Sequence, residues 1–105
     1  MKTKWKDGYL YGEHFTEDEF EYHYDNLYNK YFTDDMMQQN IKILERRGGS
    51  DSWKHIALWT CDVIGKREDY ILPTVLKDLW ETMVEKKMIL KYIENGNIIY
   101  SIIKN

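Results

Sequence analysis

The chain has 105 residues, a net charge of −3, and 43% apolar against 31% charged residues, which suits one domain with a modest core and excludes a largely disordered chain. No apolar run approaches the roughly 20 residues of a bilayer span, and the basic start Met1-Lys2-Thr3-Lys4-Trp5-Lys6 lacks the apolar stretch of a secretory signal. The one cysteine, Cys61, allows neither an intrachain disulfide nor a cysteine cluster for zinc, so a cytoplasmic protein without metal or cofactor is expected.

Charge is unevenly spread. Residues 1–35 hold nine acids against four lysines, a net of −5; the rest hold eleven bases against nine acids, a net of +2. Such asymmetry suggests a division of labour between the two parts. Nine tyrosines and four tryptophans suit either a core of large side chains or an aromatic interface.

Residues 1–15, with Gly8-Tyr9-Leu10-Tyr11-Gly12, read as an irregular arm. Thr16-Glu17-Asp18-Glu19 is then a capping box, with Phe15 and Phe20 at the positions of a hydrophobic staple. Phe20, Tyr24, Leu27, Tyr28 and Tyr31 follow with helical period, giving an aromatic-rich helix over 16–32. Thr33 caps a second helix, for which Met37, Ile41 and Leu44 form the buried stripe and Gly48 the stop after Arg46 and Arg47. Gly49-Ser50-Asp51-Ser52 reads as a loop, with Ser52 the cap of a third helix over Trp53–Ile64. That helix is apolar on most sides and is expected at the centre of the core. Gly65 ends it, and Lys66-Arg67-Glu68-Asp69 is a charged turn.

The fourth helix starts between Asp69 and Thr74, where Pro73 is tolerated in a first turn, and ends near Lys87. Its apolar stripe is Leu72, Val75, Leu76, Leu79 and Met83. The polar residues Thr74, Lys77, Asp78, Glu81, Thr82 and Glu85 are expected to face outward. Strands over about 88–94 and 97–103 then flank Asn95-Gly96, the strongest short signal for a tight hairpin. Alternation places Ile89, Lys91, Ile93, Ile98, Tyr100 and Ile102 on one face and Leu90, Tyr92 and Ile99 on the other. A hairpin apolar on both faces is sandwiched or belongs to an interface.

Helices from Ile41-Lys42-Ile43-Leu44-Glu45-Arg46-Arg47-Gly48-Gly49, Trp53–Ile64 and Leu72–Lys87, followed by the hairpin Met88–Lys104, resemble the winged-helix version of the helix-turn-helix. The resemblance covers about residues 34–104 of a single domain. It implies an α+β, mostly helical fold: a winged helix-turn-helix core over 33–105 with an extra aromatic-rich N-terminal helix. It also implies double-stranded DNA as partner, with Leu72–Lys87 in the major groove and the hairpin as wing.

On that reading a small transcriptional regulator would contact DNA through Thr74, Lys77, Asp78, Lys54, Lys66, Arg67, Lys91, Asn95 and Asn97. It would form a homodimer or meet a protein through Phe20, Tyr24, Tyr28, Tyr31, Ile98 and Tyr100. The charges pull the other way. One outward-facing residue of six on the fourth helix is basic, although phosphate neutralisation supplies most non-specific DNA affinity, and the wing tip Glu94-Asn95-Gly96-Asn97 has no base. Arg46/Arg47 and Lys66/Arg67 also fit ordinary helix-end and turn charges. The alternative is a protein-interaction module, an adaptor or a DNA-mimicking inhibitor, that uses the acidic tyrosine-rich helix or the apolar wing. His14, His23 and His55 show no metal-ligand spacing, Cys61 reads as an inert buried thiol, and no phosphate-cradling glycine loop is present, so no enzymatic role is expected.

Overall fold

The computed structural model describes residues 15–62 and 71–103, with side chains omitted over 59–62. The N-terminal arm, Lys66, Arg67, Lys104, the end of the third helix beyond residue 62 and the surroundings of Cys61 lie outside the described residues. Among those described, the order is α1 (Glu17–Tyr31), α2 (Asp34–Arg46), β1 (Ser50–Ser52), α3 (Trp53–Asp62), α4 (Leu72–Glu85), β2 (Ile89–Glu94) and β3 (Asn97–Ile102). The fold is α+β and mostly helical, with an antiparallel three-stranded sheet in the order β1-β3-β2.

Local chemistry sets most of the ends. Thr16 Oγ1 accepts from the Glu19 N–H and Glu19 Oε1 accepts from the Thr16 N–H, each at 3.2 Å, completing the capping box. Phe15 and Phe20 are both buried in one cluster, as a staple requires. Thr33 caps α2 by accepting from the Met36 N–H at 3.1 Å, and Ser52 caps α3 by accepting from the His55 N–H at 3.2 Å. Helix α2 ends in a Schellman motif: the Gly48 N–H donates to Glu45 O and the Gly49 N–H to Leu44 O, with Gly48 at φ +84°. Helix α4 ends the same way, with Lys87 at φ +60° in the place a glycine usually takes. Asn95 (φ +52°) and Gly96 (φ +79°) supply the two left-handed residues of the hairpin turn.

Two differences from the sequence reading matter. Ser50–Ser52 is a strand, not a loop. Its three residues are too few and too polar to show alternation, and pairing with Ser101, Tyr100 and Ile99 is what holds them extended. Among the described side chains α4 is the central helix; those of α3 beyond Leu58 lie outside the described set. On α3, Trp53 and Ile56 are buried but Leu58 is exposed, whereas eight residues of α4 are buried, polar ones included.

Helix α4 is central because it joins the two apolar clusters. Ile71, Leu72 and Val75 pack against Phe15, Phe20, Tyr24 and Leu27 of α1 and its entry. Leu79, Trp80 and Met83 pack against Met37 and Leu44 of α2, Trp53 and Ile56 of α3, and Ile89 and Tyr100 of the sheet. Each such aliphatic side chain removed from water contributes about 1.5–3 kcal/mol. The aromatic stripe of α1 stacks on itself along the helix, Phe20 on Tyr24 at 6.1 Å and Tyr28 on Phe32 at 4.1 Å between ring centroids.

Candidate interaction surface

Of the six α4 residues expected to face outward, Glu85 is exposed and Glu81 and Thr82 are half-buried, but the other three are interior. Thr74, Lys77 and Asp78 are 6%, 3% and 2% exposed. Helix α1 covers one flank, where Tyr24 Oη donates to Asp78 Oδ2 at 2.6 Å. The sheet and α3 cover another. Lys77 Nζ donates to Tyr100 Oη at 2.6 Å and lies 5.3 Å from the centre of the Trp53 ring. Tyr100 Oη in turn donates to Glu81 Oε2 at 2.9 Å, and Glu81 Oε1 accepts from Lys91 Nζ. Lys77 and Asp78 are therefore inside with distant partners that satisfy them, which is the condition for burying a charge.

The electrostatics follow from that burial. Desolvation lowers the Lys77 pKa, with the Lys91 charge in the same direction and Glu81 and Asp78 opposing. Desolvation alone would raise the Glu81 carboxyl; hydrogen bonds from Lys91 and Tyr100 and the charges of Lys77 and Lys91 outweigh it, and the net shift is downward. Burial raises the Tyr24 and Tyr100 hydroxyls far above the ordinary tyrosine value of 10, aided by Asp78 and Glu81 respectively. The network is a chain of satisfied contacts between helix and sheet. Among the described residues no group of three or more His, Cys, Asp or Glu is placed to hold a metal.

The residues expected at an interface through α1 are also largely interior. Phe20 and Tyr24 are buried, and Tyr28 and Tyr31 are half-buried against the same cluster. On the hairpin, Tyr100 is fully buried and Ile98 is packed against the core. Of the other DNA-contact candidates, Lys54 on α3 and Asn95 and Asn97 together at the hairpin turn are exposed, and Lys91 is drawn to Glu81. Arg47 is engaged by Asp51 at 3.1 Å, a helix-end pairing.

Four of the six large apolar side chains exposed among the described residues lie on or beside the hairpin; the other two are Tyr22 on α1 and Leu58 on α3. The register Ile89↔Ile102 to Glu94↔Asn97 places Ile89, Lys91 and Ile93 with Ile102, Tyr100 and Ile98 on the face towards α4. Leu90 and Tyr92 point to the opposite face with Ser101 and Ile99, and no buried cluster includes any of the four. Leu90, Tyr92 and Ile93 are 52%, 44% and 62% exposed, and Ile103, just past β3, is also exposed. Ser50, Ser52, Ser101, Glu94 and Asn97 border this outer face. An antiparallel sheet with one buried face usually turns polar residues to water; here Leu90 and Tyr92 stand exposed on the outer face instead.

The sequence assigned the two hairpin faces correctly, but could not rank them, because only packing decides which one the helices cover. Comparison with protein-family models, with curated proteins and with solved structures returned no match. No helix among the described residues is long and apolar enough to cross a membrane.

Proposed function

We propose that the chain is a protein-interaction module on a winged-helix scaffold, and that its contact surface is the exposed hairpin instead of α4. The order α2-β1-α3-α4-β2-β3, with β1 pairing to β3, is consistent with that scaffold, and α1 is then the extra element. One observation carries the functional part. Thr74, Lys77 and Asp78 lie inside the molecule, with α1 bonded to Asp78 through Tyr24. A helix that enters a major groove must present side chains to base edges, and burial removes these three from that role. The apolar area open to solvent on Leu90, Tyr92, Ile93 and Ile103 supports protein as the partner class.

Fluorescence anisotropy with mixed-sequence duplex DNA at about 50 mM salt, where electrostatic attraction is strong, tests the reading. The expected result is no binding tighter than the roughly 10⁻⁴–10⁻⁶ M of non-specific association. Nanomolar binding that weakens when Lys54 is replaced by Ala would overturn it in favour of a regulator that reads DNA.

A further inference from the structure

Strand β2 is an edge. Among the described residues it pairs with β3 alone, and five of its six residues are exposed. Natural edges are usually blunted by a proline, a bulge or a charged side chain, inward-pointing ones included. Here the register with β3 runs without interruption from Ile89 to Glu94, the strand has no proline, its inward lysine is already paired with Glu81, and its other charge, Glu94, stands at the end beside the turn. Counting back from the two-residue turn, the alternation of hydrogen-bonded pairs directs the backbone N–H and C=O of Ile89, Lys91 and Ile93 to the free side.

We infer that this edge pairs with the β2 edge of a second copy of the chain, antiparallel about a twofold axis at Lys91, giving a continuous sheet β1-β3-β2-β2-β3-β1. The inference rests on the interaction reading above and names its partner. The register follows from self-complementarity. Opposed residues of an antiparallel pair share a face, so the axis of a symmetric pair passes through a residue. With Tyr92 on the axis, Leu90 would oppose Glu94 and Lys91 would oppose Ile93, apolar against charged both times. With Lys91 on the axis, Leu90 opposes Tyr92 on the outer face and Ile89 opposes Ile93 on the inner face, each twice.

That register covers the three most exposed apolar residues of the strand, Leu90, Tyr92 and Ile93. Two lysines meeting at the axis would repel if bare. Each is already held by its own Glu81, which is 23% exposed at the rim of α4. The axis therefore carries the alternation Glu81, Lys91, Lys91, Glu81, and each carboxylate also faces the other copy's ammonium.

Sedimentation equilibrium of the full chain at up to about 100 µM, together with cross-linking, tests this. The wild-type chain is expected at twice its 12.8 kDa mass. Tyr92→Lys/Ile93→Lys, at positions exposed in the single chain, is expected to raise the dimer dissociation constant at least about tenfold with an unchanged circular dichroism spectrum. Leu58→Lys, on exposed α3 surface, should leave it unaltered. In a Cys61→Ser background, Lys91→Cys should form an interchain disulfide on oxidation. The Cα atoms of a hydrogen-bonded pair lie about 5.5 Å apart, inside the bridging range. Tyr92→Cys, displaced two residues from its own copy, should not.

A wild-type chain that stays monomeric, or cross-linking through Tyr92→Cys and not Lys91→Cys, would overturn the inference. A monomer with no DNA affinity overturns self-pairing alone. Nanomolar DNA binding overturns the interaction reading itself.

Discussion

At the residue scale, the polar groups of α4 are held by partners far away in the chain. Tyr24 donates to Asp78 across 54 positions and Lys77 to Tyr100 across 23. Removing the Tyr24 hydroxyl leaves the Asp78 carboxylate without that donor in a site 2% exposed. Tyr24→Phe is expected to lower unfolding free energy by about 1.5–3 kcal/mol in urea titrations, while Tyr22→Phe, at an exposed tyrosine, changes it by less than about 0.5. The same hydroxyl sets a pH dependence. Its folded-state pKa is raised by burial and by Asp78, so the protonated form is favoured on folding. That stability is fully present below the ordinary value of 10 and is lost as pH rises above it. Tyr24→Phe should therefore lose less stability than wild type above pH 10, with Tyr100 supplying the remaining alkaline loss in both proteins.

At the element scale, the helix ends that local chemistry dictates were legible in the sequence, and those that depend on tertiary pairing were not. The box Thr16–Glu19, the cap Thr33, the stop at Gly48 and the turn Asn95-Gly96 all stand where residue types alone placed them. Ser50–Ser52 did not, because its extended form comes from Ile99–Ser101 of β3. Of the stripe Leu72, Val75, Leu76, Leu79 and Met83, read as buried, all but the half-buried Leu76 are fully so, but Thr74, Lys77 and Asp78 were read as outward because they are polar. Periodicity shows which residues avoid water; it does not show that α1 and Tyr100 would satisfy the rest. The two Schellman ends give a paired prediction. Lys87 takes a left-handed conformation that disfavours a side chain, so Lys87→Gly should raise stability by about 0.5–1 kcal/mol, the relieved strain less the added freedom of the unfolded glycine. Gly48→Ala should lower it by about 1–2 kcal/mol, although nothing lies within 4 Å of the added Cβ, because the cost is in the backbone. Denaturant midpoints at constant m-value check both.

At the scale of the whole molecule, one arrangement governs the functional reading. The aromatic helix α1 closes over α4 from one side and the sheet closes from another, so the most charged stretch of the fourth helix becomes interior. Most of the large apolar side chains left exposed among the described residues lie on or beside the hairpin, with Tyr22 and Leu58 elsewhere. Both conclusions depend on α4 being enclosed, and the Lys77 amine reports on that directly. Exposed, it would lose the desolvation that lowers its pKa and react as readily as an ordinary surface lysine. Enclosed, it reacts only when the structure opens. Brief acetylation of the native chain at pH 8, read peptide by peptide in a mass spectrometer, should modify Lys77 at least about 100-fold more slowly than Lys54, the protection given by an opening of about 3 kcal/mol or more. Modification of Lys77 as fast as Lys54 would contradict the account, returning the outer face of α4 to solvent and to DNA.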